Sequence, residues 1–265
     1  MNYELRIMKN YSTILLLMWG LTCFFACQQT EQKTDTAEER TQPEQAESFE
    51  LTAIYSSSPL QIDGQLDEAI YSQIPKIPFK NSETKEDIAD SAYATYAQIC
   101  YDETYLYIAF SCKDKDIHSQ YRERDQYLWE EEAVEVFIDV DDEPNNYVEL
   151  EVSPHNILFD SYIVDPQNID IAETLKYNME DIHTAVSVVG TLDDREDEDQ
   201  GWIVEIAVPL RELDKGYSLE SLKSASWKIN FYRLNLDDYA DRAFAWSPIQ
   251  GSFHQPDKFG TLRFE

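Results

Sequence analysis

From residue 49 onward, apolar and polar residues alternate with a period of two, and Pro, Asn, Asp and Gly punctuate the pattern. Only an extended strand turns successive side chains to opposite faces, so this alternation constrains the chain to fold as sheet. The spacing predicts strands over 50–55, 92–101, 105–112, 133–140, 147–152, 157–164, 184–192, 202–208, 227–234 and 260–264. Helical signals are few and short, at 67–73 and 220–224. Many short strands without a regular βαβ alternation predict an all-β fold, an antiparallel two-sheet β-sandwich with short helical segments. No internal repeat is visible.

The strands share one layout. Val134, Val136 and Ile138 fall on one face, with Glu135 and Phe137 on the other. Tyr147, Glu149 and Glu151 alternate against Val148, Leu150 and Val152, and Glu205 opposes Val204 and Ile206. Lys228, Asn230 and Tyr232 oppose Ile229 and Phe231. One sheet face is therefore expected to present Glu, Asn and Tyr outward, as the wet face of a sandwich does. Arg233 falls in phase with the core residues, which requires a bulge, the strand end or a buried carboxylate partner.

The N-terminal segment is of another kind. Arg6 and Lys9 precede an apolar run from Ile14 to Trp19, followed by Phe24-Phe25-Ala26-Cys27. A stretch too short to span a bilayer, ending in a small residue before a cysteine, reads as a bacterial lipoprotein signal peptide over residues 1–27. The lipid would attach to Cys27. Residues 28–48 are almost wholly polar and are expected to form a flexible tether. A coil of ~20 residues spans roughly 25 Å. Residues 49–265 then form the folded domain. The expected location is exported and lipid-anchored in the bacterial cell envelope, at the outer membrane or cell surface or facing the periplasm.

A net charge of -31 and the lack of a basic patch argue against nucleic acid as a partner. Cys100 and Cys112 sit near opposite ends of the hairpin that turns at Asp102-Glu103-Thr104. That places them on the order of 20 Å apart at about 3.3 Å per residue, too far for a disulfide. Two free, buried thiols are expected.

Catalytic signatures are sparse. His118, His155, His183 and His254 show no metal-binding spacing, and there is no GxSxG, P-loop or dinucleotide fingerprint. Glu149 and Glu151 lie two apart on one strand face, a separation that suits a glycosidase carboxylate pair. Met179 and His183 are the nearest Met/His pair for axial haem ligation. Aromatic residues are the better lead. Trp129 sits in Tyr127-Leu128-Trp129-Glu130-Glu131-Glu132, entering a strand, and Phe253 and His254 occupy a punctuated loop over 247–256. Aromatic faces pack on the C–H patches of sugar rings while carboxylates and amides take the hydroxyl hydrogen bonds.

Three stretches resemble the family 9 carbohydrate-binding modules. The first is Leu60-Gln61-Ile62-Asp63-Gly64-Gln65-Leu66-Asp67-Glu68-Ala69-Ile70-Tyr71. The second joins Tyr101-Asp102-Glu103-Thr104-Tyr105-Leu106-Tyr107-Ile108 to Leu128-Trp129-Glu130-Glu131-Glu132-Ala133-Val134-Glu135-Val136-Phe137-Ile138-Asp139. The third joins Ala245-Trp246-Ser247-Pro248 to Phe253-His254-Gln255-Pro256-Asp257-Lys258-Phe259-Gly260-Thr261-Leu262. Their order and spacing match across nearly the whole domain. The resemblance implies a two-sheet sandwich related to the DOMON-like folds, with no catalytic activity of its own.

It also implies a site. Trp129 matches one of two aromatic jaws and Glu135 the glutamate that bonds sugar hydroxyls, while Phe253 stands where the second jaw is usually tryptophan. Glu149 and Glu151 fall where the family places further polar ligands, and Asn230 and Arg233 complete the candidate set. Tyr71 stands where tryptophan is common. No cofactor is assigned, but some members hold structural calcium, and Asp139-Val140-Asp141-Asp142-Glu143-Pro144-Asn145 offers hard oxygen ligands without EF-hand spacing. The implied partner is an oligo- or polysaccharide, captured alongside other glycan-utilisation proteins by a chain that touches the membrane only through its lipid. Three alternatives stay open: a glycoside hydrolase using a Glu pair, a DOMON-type haem or redox domain, and a spacer module that has lost its ligand.

Overall fold

The computed structural model describes residues 48–265 apart from 89, 142–144, 214–215, 217 and 237–240. The signal peptide, Cys27 and nearly all of the tether lie outside the described residues, as does the middle of the acidic turn at 139–145. Residues 49–265 form one compact unit.

Among the described residues, one sheet contains β1 (Glu50–Tyr55), β6 (Ala133–Asp139), β7 (Tyr147–Val152), β8 (Leu158–Ile163), β11 (Ser226–Leu236) and β13 (Gly260–Phe264). The short β3 (Lys80–Asn81) and β12 (Asp241–Ala245) extend it. The other sheet contains β2 (Ile77–Pro78), β4 (Thr95–Tyr101), β5 (Tyr105–Cys112), β9 (His183–Val189) and β10 (Gly201–Pro209). Strand β1 serves both. Its Glu50–Ala53 half pairs with Thr261–Phe264 of β13, and Ile54 and Tyr55 pair with Cys100 and Tyr101 of β4. Both pairings of β1 are parallel, whereas every other strand pair is antiparallel. The hydrogen-bonded path therefore runs β8-β7-β6-β11-β13-β1-β4-β5-β10-β9. Among the described residues, three single-turn α-helices, Ile171–Thr174, Leu210–Leu213 and Leu219–Leu222, decorate it. No described helix is long and apolar enough to cross a membrane.

The alternation read from sequence sorts the inner faces correctly. Val134, Val136 and Ile138 meet Leu106, Ile108 and Phe110, with Val204, Ile206, Ile229 and Phe231, in one core cluster. Each such side chain contributes about 1.5–3 kcal/mol on burial, so the sandwich is held chiefly by this layer. Cys100 and Cys112 are free and buried, and their partners Tyr107 and Thr95 mark opposite ends of the β4–β5 ladder.

The outer faces differ from expectation. Every residue of β6 and β7 is buried, not only the inward half. The outward positions carry Phe137, Tyr147 and Tyr232, which are apolar enough to recruit a cover of Ile249, Phe253, Phe259 and Ile169. On the other sheet, Leu60, Ile62, Leu66 and Tyr71 cover Cys100, Tyr107, Ala109 and Ala207. Two glycines make these covers possible. Gly64 holds φ +83°, and a Cβ there would lie 3.0 Å from the Ser187 backbone nitrogen. Gly260 lies under the Trp246 indole, where a Cβ would come within 2.2 Å of the ring.

Arg233 is resolved by its third option, a buried carboxylate. It lies between the sheets, fully buried, with its guanidinium 2.5 Å from Asp114. It also donates to Thr95 Oγ1 at 2.9 Å and to the Lys113 carbonyl at 2.8 Å. The expectation that Arg233 joins a ligand site is thereby corrected: its side chain faces the core.

Candidate functional site

Strand register assembles the outward-facing positions into rows. Across four strands, Tyr232 of β11 stands opposite Glu135 of β6, Glu135 opposite Glu151 of β7, and Glu151 opposite Phe159 of β8. The neighbouring row runs Asn230, Phe137, Glu149 and Ser161. Side chains at paired positions share a face, so two glutamates lie between aromatic residues in one row and a third glutamate lies beside them.

The two candidate jaws stand at the ends of the first row. Trp129, half-buried in the turn Leu128–Glu130, meets the edge of Phe159 with ring centroids 5.1 Å apart. Phe253, also half-buried, stacks on Tyr232 at 4.1 Å and 7°. The Tyr232 hydroxyl donates to the Phe253 carbonyl at 3.1 Å, which fixes the loop as well as the ring. Tyr127 stacks on Trp129 at 4.6 Å. Each jaw thus leans on a second ring of the chain, and no described ring contact joins Trp129 to Phe253. Their supports, Phe159 and Tyr232, are three interstrand steps apart, about 14 Å at 4.8 Å per step.

The floor between them is acidic. Glu135, Glu149 and Glu151 each bring a carboxylate oxygen within 4.8 Å of the others. Burial, with the charge of Glu149 alongside, pushes Glu135 well above the usual carboxylate range. Burial also raises Glu151, reinforced by Glu135 and Glu149 and opposed by the Trp129 backbone. Glu149 is pushed up to about 7 by burial, against the hydroxyl of Ser161, which donates to it at 2.8 Å. His254 closes one side. Its Nδ1 shares a 2.6 Å hydrogen bond with the Tyr147 hydroxyl, and its Nε2 stands 3.9 Å from Glu149. Burial lowers His254 to about 4, so the ring is neutral near pH 7 and gives the acids no counter-charge.

The structure therefore brings together Glu135, Glu149 and Glu151, sets Trp129 and Phe253 at opposite ends of the row rather than facing each other, and leaves out two members of the candidate set. Arg233 faces the opposite way. Asn230 shares the face, but its amide is spent on the backbone of Ser247, donating to the carbonyl at 2.9 Å and accepting from the N–H at 3.0 Å. Its carbonyl also takes the Phe231 N–H at 2.9 Å. Asn230 anchors the segment leading to the Phe253 loop rather than offering itself to a ligand. Phe159 and Tyr127 were not singled out in the sequence. The short turn between β7 and β8 fixes the register that sets Phe159 beside Glu151, and that pairing was the available signal.

Met179 and His183 do not converge as haem ligands would. Met179 is buried in the core, while His183 is exposed on β9 with its ring against Tyr105. A cavity of about 460 Å³ lies beside β8, lined by Tyr162, Ile169, Glu173 and Tyr177 among others. None of the residues in the Trp129–Phe253 row lines it.

Comparison with known proteins bears on the family and the fold. The profile of the family described as "Carbohydrate family 9 binding domain-like" matches residues 62–265. A protein of Bacteroides uniformis ATCC 8492, proposed to bind carbohydrate, superposes with a TM-score of 0.61 at 20% identity, covering 83% of this chain and 100% of that one. A family 9 carbohydrate-binding module from Caldicellulosiruptor kristjanssonii, in complex with cellotriose, gives a TM-score of 0.54 at 16% identity over 82% of this chain and 93% of its own. These likenesses are likenesses of fold. A curated "Extracellular protein" of Arthroderma benhamiae (strain ATCC MYA-4681 / CBS 112371) is 25% identical over 185 residues, 64% of this chain and 78% of its own.

Proposed function

This chain belongs to the carbohydrate family 9 binding domain-like family, and we propose that it binds an oligo- or polysaccharide without cleaving it. The observation that carries this reading is the row itself: half-buried rings at both ends and two buried glutamates between them. Rings and carboxylates are the two kinds of group that a sugar's C–H faces and hydroxyls need. The wide separation of the supports favours a glycan lying along the row, stacking at its ends, over one ring clamped between facing aromatics. Glu135 orients it.

The carboxylates favour binding over hydrolysis. A glycosidase pair stands about 5–5.5 Å or 6.5–9.5 Å apart across the scissile bond, whereas Glu149 and Glu151 sit on one strand with carboxylate oxygens within 4.8 Å of each other and of Glu135. We place the domain outside the cytoplasm, anchored through lipid on Cys27 and serving polysaccharide capture with other glycan-utilisation proteins. The composition of residues 1–48 supports that placement.

The test is affinity electrophoresis on a panel of polysaccharides, with Trp129→Ala beside the unaltered protein. The expected result is retardation by at least one glycan, lost in the variant while its unfolding transition is unchanged. Equal retardation of both proteins on every glycan overturns the site, and release of reducing sugar overturns the non-catalytic reading.

A further inference from the structure

The three glutamates present an electrostatic problem that the chain does not solve by itself. Glu151 is fully buried, with no side-chain hydrogen-bond partner and only the Trp129 backbone alongside to favour its charge. Glu135 is 2% exposed, and its Oε1 is likewise without one. Two like charges about 4 Å apart repel by roughly 4 kcal/mol even at an effective dielectric of 20, and a buried carboxylate without partners costs several more. None of the described ion pairs brings a lysine or arginine to the cluster. The nearest arginine in sequence register, Arg233, points into the core toward Asp114.

We infer that Glu135, Glu149 and Glu151 together hold one hard divalent cation of the calcium class in the floor of the binding row. The geometry suits it: oxygens within 4.8 Å of one another are spanned by a single ion that binds oxygen at about 2.4 Å. The three grouped donors are all carboxylates, with no thiol or imidazole among them, which selects a hard ion over zinc or copper. Ser161 holds the orientation of Glu149 by donating to its other edge. Three carboxylates fill about half of a coordination sphere of 6–8 oxygens. Water and ligand hydroxyls fill the remainder. The inference deepens the proposed glycan site but does not depend on glycan recognition. The competing arrangement, carboxyls that share protons among themselves, gives no response to added cation.

The experiment uses the whole protein, stripped with EDTA, desalted and titrated separately with CaCl2, MgCl2 and ZnCl2 at pH 7.5, by calorimetry and by thermal unfolding. Calcium at a hundredfold excess over its dissociation constant is expected to raise the unfolding midpoint by about 5 °C or more. Glu151→Gln and Glu135→Gln should weaken that response at least tenfold, while Asp257→Asn, an exposed acid elsewhere, leaves it intact. The unfolding midpoint of each variant in EDTA reports its fold separately from its response to calcium. An absent calcium response, or one that the two glutamine variants leave unchanged, overturns the inference, as does a preference for zinc. No glycan enters the titration. A calcium response without glycan retention therefore refutes only the binding reading, and retention without a calcium response refutes only the cation.

Discussion

Tyr71 donates its hydroxyl hydrogen to Glu205 Oε1 at 2.7 Å, tying the segment that enters the sandwich to the outer face of β10. The other oxygen of that carboxylate accepts the Asp63 N–H at 3.0 Å and the Gly64 N–H at 2.8 Å. One buried side chain thus pins the whole opening motif, and burial raises its pKa while these three bonds pull it back. Hydrogen bonds to charged groups contribute about 1.5–3 kcal/mol each. Tyr71→Phe is expected to cost about 1.5 kcal/mol, and Glu205→Ala roughly 3–5 kcal/mol because it strands two backbone donors as well. Urea denaturation of the two variants measures both, and equal losses would show that the hydroxyl alone matters.

Arg233 is expected to matter for folding and not for binding. Removing it as Arg233→Ala leaves Asp114 buried without its guanidinium partner, a loss of about 3–5 kcal/mol. Adding Asp114→Asn should recover part of that loss, because the uncompensated charge is gone. Gel retardation of the folded fraction should stay at the unaltered level. A selective loss of glycan binding in a stable Arg233→Ala protein would put the side chain back in the site.

The acidic floor sets a pH dependence with a definite sign in cation-free protein. A carboxyl raised to about 7 in the folded state contributes most below its unfolded value near 4.5 and loses that contribution as pH rises through about 7. For Glu149 the difference is on the order of 3 kcal/mol. Glu135 and Glu151 act in the same direction, and Tyr147 and Tyr232, both raised, stay protonated throughout. His254 acts oppositely: lowered to about 4, it adds stability that is lost as pH falls from about 6.5 toward 4. The measurement is therefore the difference between the unaltered protein and Glu149→Gln, in which the histidine cancels. The unaltered protein should lose ground to the variant between pH 4.5 and 8 in EDTA, and a flat difference would contradict the assignment.

Phe253 offers the opposite kind of test, a change at the rim that spares the fold. Its ring stacks on Tyr232, yet the Tyr232 hydroxyl holds the backbone of the loop independently of the side chain. Phe253→Ala should weaken glycan retention about tenfold, equivalent to about 1.4 kcal/mol. Phe253→Trp, with a larger face, should strengthen it. If neither substitution shifts retention, the second end of the row lies elsewhere.

Much of this molecule was legible in the alternation. It gave the bounds of β1, β5, β7 and β13, the inner faces, and the grouping of Glu135 with Glu149 and Glu151. What escaped it depends on partners rather than on local pattern. Strands β2 and β3 are two residues long and exist only through β4 and β12, and β12, Asp-Arg-Ala-Phe-Ala, has no β-branched residue to announce it. The outward positions read as solvated because Glu and Asn interrupt them, yet Phe137, Tyr147 and Tyr232 among them drew loops across the face. Asn230 looked like a ligand group for the same reason: nothing in its own strand tells that Ser247 takes up its amide.

The shared strand β1 has a consequence for how the chain is made. Its first half is seated against β13, the last described strand in chain order, and its second half against β4. Until residues 260–264 arrive, the nascent chain has an open seam between β11 and β1, with backbone donors and acceptors that nothing else in the domain satisfies. The sandwich therefore shuts only once segments some two hundred positions apart have met. Closure of this kind waits on contacts of very long sequence separation, which is the slow way for a domain to fold.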